Sequence, residues 1–203
     1  QNELLMRGLI IKELQSCWED GAYLRMVPPQ PQPRGTLLDL SNLVLGRYVQ
    51  HMEPLRADFS HVTRLNLSGT SLKDEEMGFL DNFPATRIVD LSENELTGVP
   101  SQLTDMKALT ALNLRDNPIR WGRYDYEALK HLPLLRSLNL EGNALMSVPP
   151  DIGPRPELRR LTLRRTGISQ WPAGLDSPRL AIPELDLTHT RITSVPPFAE
   201  DSV

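Results

Sequence analysis

The chain has 203 residues, a net charge of −4 and an isoelectric point near 5.6. That balance argues against a general nucleic-acid or membrane surface, and no run of 18 apolar residues offers a transmembrane helix. Its single cysteine, Cys17, excludes an internal disulfide, and so excludes the cysteine-bonded caps of extracellular repeat receptors.

Residues 1–26 predict a helix, from the approximate helical spacing of Leu4, Leu5, Leu9, Ile10 and Leu14, with Trp18 near its end and Gly21 as a stop. The segment is read as the tail of an upstream domain or as a cap. A proline-rich stretch, VPPQPQPRG, follows. It predicts an extended, stiff spacer over 27–34.

From residue 35 onward one phrase recurs: apolar, polar, apolar, then a turn. Its clearest copies are LTALNLRDNPI (109–119) and LRSLNLEGNAL (135–145), both fitting L-x-x-L-x-L-x-x-N-x-L. The phase mark falls on Leu38, Leu65, Val89, Leu112, Leu138, Leu161 and Leu185, at spacings of 27, 24, 23, 26, 23 and 24. A period of this size is that of a leucine-rich repeat. The predicted fold is an α/β solenoid of about seven repeats spanning 35–203. It has a concave parallel sheet and an irregular or short-helical convex side, and the lack of a polar cap after the last repeat suggests truncation. Adjacent strands are expected near 64–66, 88–90, 111–113, 137–139, 160–162 and 184–186. On the convex side, DEEMGFLDNF (74–83) and YDYEALKHL (124–132) read as helical, the first with acids suited to a helix dipole. VPSQL, VPPDI, WPAGL and the VPP at Val195 predict extended segments or tight turns. The asparagine position holds Asn94, Asn117 and Asn143. Thr70, Thr166 and Thr190 replace it elsewhere, where one hydroxyl does part of the same work, and Leu43 stands in the atypical first repeat.

HVTRLNLSGTSL, RIVDLSENELTGVP and LTLRRTGISQWPAGL resemble the repeat region of large secreted bacterial effectors of the novel E3 ubiquitin ligase type, over about residues 35–197. The resemblance implies substrate or partner recognition by the repeats, action in the reducing host cytoplasm, and a cysteine-type ligase domain outside this chain with a C-x-D motif. The repeats here are longer than those of the compact effectors, which favours the large multi-domain branch. Cys17-Trp18-Glu19-Asp20 is C-x-x-D and lies upstream, so catalysis is not carried onto Cys17.

The candidate partner-binding stripe is the middle residue of each phrase: Asp39, Asn66, Asp90, Asn113, Asn139, Thr162 and Asp186. The alternative is the solvated face that any solenoid needs. Arg160, Arg164 and Arg165 form a second candidate, within a cluster that also holds Arg155, Arg159 and Arg179. They are anchors for an acidic partner or a domain of the same protein, or a rim locally paired to Glu157 or Glu184. Trp121, Tyr124 and Tyr126 are interface aromatics, or packing that covers a longer repeat. The pattern Asn66-Leu67-Ser68 within a strand reads as a chance glycosylation match. No nucleophile elbow, phosphate loop or zinc motif occurs, and His51, His61, His131 and His189 are scattered, so no catalytic residue, cofactor or metal is expected. Host or self protein is the expected partner, with no nucleic acid and no membrane. The alternative function is a cytoplasmic scaffold or sensor module without an enzyme.

Overall fold

The computed structural model describes residues 2–26, 36–49, 55–151, 157–175 and 182–196. The spacer over 27–34 lies outside them, as do Arg155, Arg179, Pro154, Pro156 and the segment beyond 196.

Three to five residues per repeat are extended, because only the apolar-polar-apolar core of each phrase can alternate between buried and exposed faces. The strands are β1 (Thr36–Asp39), β2 (Val62–Asn66), β3 (Ile88–Asp90), β4 (Ala111–Asn113), β5 (Ser137–Asn139), β6 (Arg160–Thr162) and β7 (Glu184–Asp186). They form one parallel sheet in sequence order, and each consecutive pair expected from the phrase is adjacent. The register places Leu38, Leu65, Val89, Leu112, Leu138, Leu161 and Leu185 side by side. Behind them a second inward rank, Leu40, Leu67, Leu91, Leu114, Leu140 and Leu163, is wholly buried.

After each strand the chain must reverse without a long loop. Every repeat does this with a left-handed residue four places after the phase mark: Asn42, Gly69, Glu93, Asp116, Gly142, Arg165 and His189, at φ of 51° to 72°. A non-glycine residue there costs about 1–2 kcal/mol. The conformation also aims its N–H at the next repeat. Asn42 N donates to Ser68 O (2.9 Å), Gly69 N to Ser92 O (3.0 Å), Glu93 N to Arg115 O (2.9 Å), and the series continues to Arg165 N and Thr188 O (3.1 Å). Strain within each repeat is thus exchanged for a hydrogen bond between repeats.

The convex side is irregular. Residues 74–82 form a 3-10 segment rather than an α-helix, and a shorter 3-10 turn spans Ser101–Asp105. One α-helical turn, α2, covers Gly46–Val49, and α3 covers Arg123–Lys130. The acids that open these segments act through specific bonds more than through a dipole. Asp74 accepts from Thr97 N (3.0 Å) and from the Thr97 hydroxyl. Asp125 accepts from Val99 N (2.7 Å) and from Gly122 N (2.8 Å). The 97–99 loop of the third repeat is therefore held by carboxylates from both neighbours.

The N-terminal helix α1 (Asn2–Met26) runs past Gly21 rather than stopping there. Its buried stripe is Ile10, Leu14, Cys17 and Gly21, whereas Leu4, Leu5 and Leu9 are exposed. Of the five apolar residues whose spacing marks the helix, Ile10 and Leu14 dock and the three leucines before them do not. The docking face lies over β1 and meets the second repeat at His61. The His61 ring bonds Cys17 O through Nε2 (2.8 Å), approaches Cys17 Sγ at 3.7 Å, and stacks on Phe59. Gly21 is required beneath it, because a Cβ there would lie 2.3 Å from His61 Cε1.

Candidate functional site

Strand register turns the middle residues into a column. Asp39, Asn66, Asp90, Asn113, Asn139, Thr162 and Asp186 lie on successive rungs, outward between two buried leucine ranks. Six of the seven also have a local duty. Asp39 Oδ1 accepts from Ser41 N (2.9 Å), Asn66 from Ser68 N (3.1 Å), Asp90 from Ser92 N (2.9 Å), Asn113 from Arg115 N (3.1 Å), Asn139 from Glu141 N (3.0 Å) and Asp186 from Thr188 N (2.9 Å). Each is an Asx turn, in which a side-chain oxygen caps the strand and starts the reversal. The run of Asp and Asn is thus explained by the fold before any partner is considered. Hydrogen bonds from the Ser41 and Thr188 side chains hold the Asp39 and Asp186 carboxyls below the usual carboxylate range. Lateral bonds tie the column together: Asn113 Nδ2 donates to Asp90 Oδ2 at 3.0 Å.

A second outward column was not singled out from the sequence. The residue before each phase mark faces the same way: Leu37, Arg64, Ile88, Ala111, Ser137, Arg160 and Glu184. Strand alternation alone would have found it, since residues two apart share a face. It holds the exposed apolar side chains of the sheet, Leu37 and Ile88, at 44% and 41% exposure.

The arginines expected as anchors are less available than their clustering suggested. Arg160 pairs with Glu184 across β6 and β7. Arg164 Nε lies 3.4 Å from Glu141 Oε1, and Arg165 reaches both Asp116 Oδ1 (3.1 Å) and Glu141 Oε1 (3.2 Å). Parallel stacking brings residues 24 or 49 apart in sequence into contact, so carboxylates that look distant in the chain neutralise the cluster. Of the two partners expected, Glu184 takes Arg160, while Glu157 pairs with Arg136 at 3.6 Å.

The three aromatics separate. Trp121 packs against the core with its ring 5.5 Å from that of Tyr126, and the Tyr126 hydroxyl donates to Val148 O at 2.6 Å. These two cover the longer fourth repeat. Tyr124, 90% exposed on α3, is the one open to solvent.

Among the described residues no cluster of histidine, cysteine, aspartate or glutamate could hold a metal, and no helix is long and apolar enough to cross a membrane. Cys17 is buried, and burial beside Asp20 and Glu13 pushes its thiol up to about 11, the reverse of an activated nucleophile.

Residues 60–119 match the family profile described as Leucine rich repeat. The fold is a leucine-rich-repeat solenoid. Human vasorin is 33% identical over 141 residues, which cover 68% of this chain and 20% of vasorin. Bovine opticin is 30% identical over 140 residues, covering 68% of this chain and 40% of opticin. The chain therefore spans less than half the length of either relative. A leucine-rich-repeat protein of Leptospira interrogans superposes with a TM-score of 0.56 at 22% identity, over 68% of this chain and 34% of that one. The functional domain of InlJ from Listeria monocytogenes, which includes a cysteine ladder, gives 0.54 at 20% identity, over 79% and 36%. These two likenesses speak to the fold alone. With one cysteine, this solenoid shares the stacking and not the ladder.

Proposed function

We propose that this leucine-rich-repeat interaction domain recognises a protein through its concave face, within a secreted bacterial effector of the novel E3 ubiquitin ligase type. The repeats would select a host target in the host cytoplasm, or hold a ligase domain of the same polypeptide. One observation carries the recognition reading. Two outward columns, in register over seven strands, mix exposed Leu37 and Ile88 with pre-ordered carboxylates and amides on a rigid sheet. A few apolar anchors within a fixed polar surround suit protein partners. The ligase setting rests on the sequence resemblance. A scaffold or sensor module without an attached enzyme would use the same face, and the matched relatives, neither of them a named ligase, favour that second reading.

The test is affinity capture from host extract with the wild-type chain, an Ile88→Asp/Ala111→Arg variant, and a convex control, Lys107→Glu. A protein retained by the wild type and control but lost from the concave variant is expected. Retention by all three would overturn the concave reading. In a second arm the chain alone should not discharge ubiquitin from a charged conjugating enzyme. Transfer abolished by Cys17→Ala would place the chemistry inside this chain.

A further inference from the structure

The sheet is electrically polarised across its width. From β2 to β6 the residue two places before the phase mark forms a continuous ladder at the beginning of the strands. Arg87 N donates to Thr63 O, Thr110 N to Arg87 O, Arg136 N to Thr110 O and Arg159 N to Arg136 O, each at 2.8 Å. Three of these rungs are arginine, and Arg64 of the neighbouring column stands beside them. All four are exposed. Among the described residues Arg64, Arg87 and Arg159 have no carboxylate, and Arg136 has only the exposed Glu157 at 3.6 Å. The far end of the same strands is acidic, with Asp39, Asp90 and Asp186 on the sheet and Glu93, Asp116 and Glu141 in the turns. Among the described residues the arginines there, Arg115, Arg164 and Arg165, lie against those carboxylates.

We propose that the arginine rim Arg64–Arg87–Arg136–Arg159 is a docking edge for an extended, carboxylate-rich segment of a protein partner. The inference rests on the concave-face reading above and names the chemistry of what that face selects. Charge complementarity carries it. Rungs lie about 4.8 Å apart, and an extended peptide places same-side residues about 7 Å apart. Flexible arginine side chains absorb that mismatch, and each guanidinium matches a carboxylate in bidentate fashion. The acidic edge decides against a broad polyanion. It lies three residues along the strand from the rim, about 10 Å, so it repels any large anion that spreads over the sheet, within roughly one Debye length at 0.1 M salt. One peptide strand confined to the rim avoids it.

The probe is a fluorescein-labelled twelve-residue peptide of alternating glutamate and serine, titrated with the full chain at 25 and 150 mM salt and read by anisotropy. Saturable binding that weakens at the higher salt is expected. Arg64→Ala/Arg87→Ala/Arg159→Ala should lower affinity tenfold or more, with an unchanged circular dichroism spectrum and melting temperature, because these side chains leave the core. Arg123→Ala, exposed on α3, should bind as wild type does. No binding, equal binding by the triple variant, or an equal loss with Arg123→Ala would overturn the proposal. So would a heparin fragment of similar length that binds more tightly than the peptide, since that would make the rim a polyanion site. If the peptide arm fails while Ile88→Asp/Ala111→Arg still abolishes capture, the rim is wrong and the concave reading stands.

Discussion

Asparagine and threonine at the turn position differ in how many repeats they join. Asn94 Nδ2 donates to Leu67 O of the preceding repeat (2.8 Å) and to Leu91 O of its own (3.1 Å), while its Oδ1 accepts from Leu72 N (2.9 Å). Asn117 repeats the pattern with Leu91 O (2.9 Å), Leu114 O (3.2 Å) and Leu96 N (3.2 Å). The threonine hydroxyls make their shortest bonds within their own repeat, Thr70 to Leu67 O (2.7 Å), Thr166 to Leu163 O (2.7 Å) and Thr190 to Leu187 O (2.8 Å), and the Thr70 hydroxyl reaches the next repeat through the Asn94 side chain, Oδ1 at 3.0 Å. The amide has donors and acceptor to spare, whereas the hydroxyl has one proton and spends it locally. Asn117→Ala should therefore leave buried backbone groups unsatisfied in two repeats and cost about 2–3 kcal/mol. Asn117→Thr should cost less than half of that. Urea midpoints of the two variants check this. Equal losses would mean that the bond a hydroxyl makes within its own repeat carries no net stability.

At the scale of elements, α1 is held to the solenoid by the buried stripe of Ile10, Leu14 and Cys17 and by a close approach at Gly21. Gly21 lets the helix backbone lie against the His61 ring, which reaches back to Cys17 O. A Cβ at residue 21 must displace that ring and break the bond, worth about 1 kcal/mol, besides disturbing the stack on Phe59. Gly21→Ala should loosen α1 although alanine is the better helix former. Hydrogen exchange is the measurement. Amides in 10–20 should lose protection while those of β4 to β6 keep theirs. Unchanged protection in α1 would show that Ile10 and Leu14 alone hold the helix.

Over the whole molecule, stability is a sum of repeats and of the interfaces between them. Leu138 has strands on both sides and is 2% exposed, whereas Leu185, at the same position of β7, has a strand neighbour on one side and is half-buried. Leu138→Ala should cost about 2–5 kcal/mol, the range for buried leucine truncations, and Leu185→Ala clearly less. Chemical denaturation of both variants tests this. Equal losses would imply that β7 is covered in solution as fully as β5.

The repeat phrase alone determined the number of strands, their order, their parallel sense and the inward ranks, because strand periodicity allows one phase that turns both apolar ranks inward. It also located the outward column of Asp39 through Asp186. Tertiary structure decided everything that depends on which residues of different repeats meet. Of the apolar stripe Leu4, Leu5, Leu9, Ile10 and Leu14, only Ile10 and Leu14 are buried, with Cys17 beside them, because helical spacing fixes a periodicity without saying which part of a stripe meets a neighbour. Arg160, Arg164 and Arg165 read as anchors for a partner or as a rim paired to Glu157 or Glu184. Stacking brought Glu184, Glu141 and Asp116 against them from other repeats. Arg87 and Arg159, at equal phases, and Arg64, one residue further along its strand, are scattered along the chain and came together at one edge because a parallel stack sets neighbouring phases side by side; among the described residues they have no carboxylate partner.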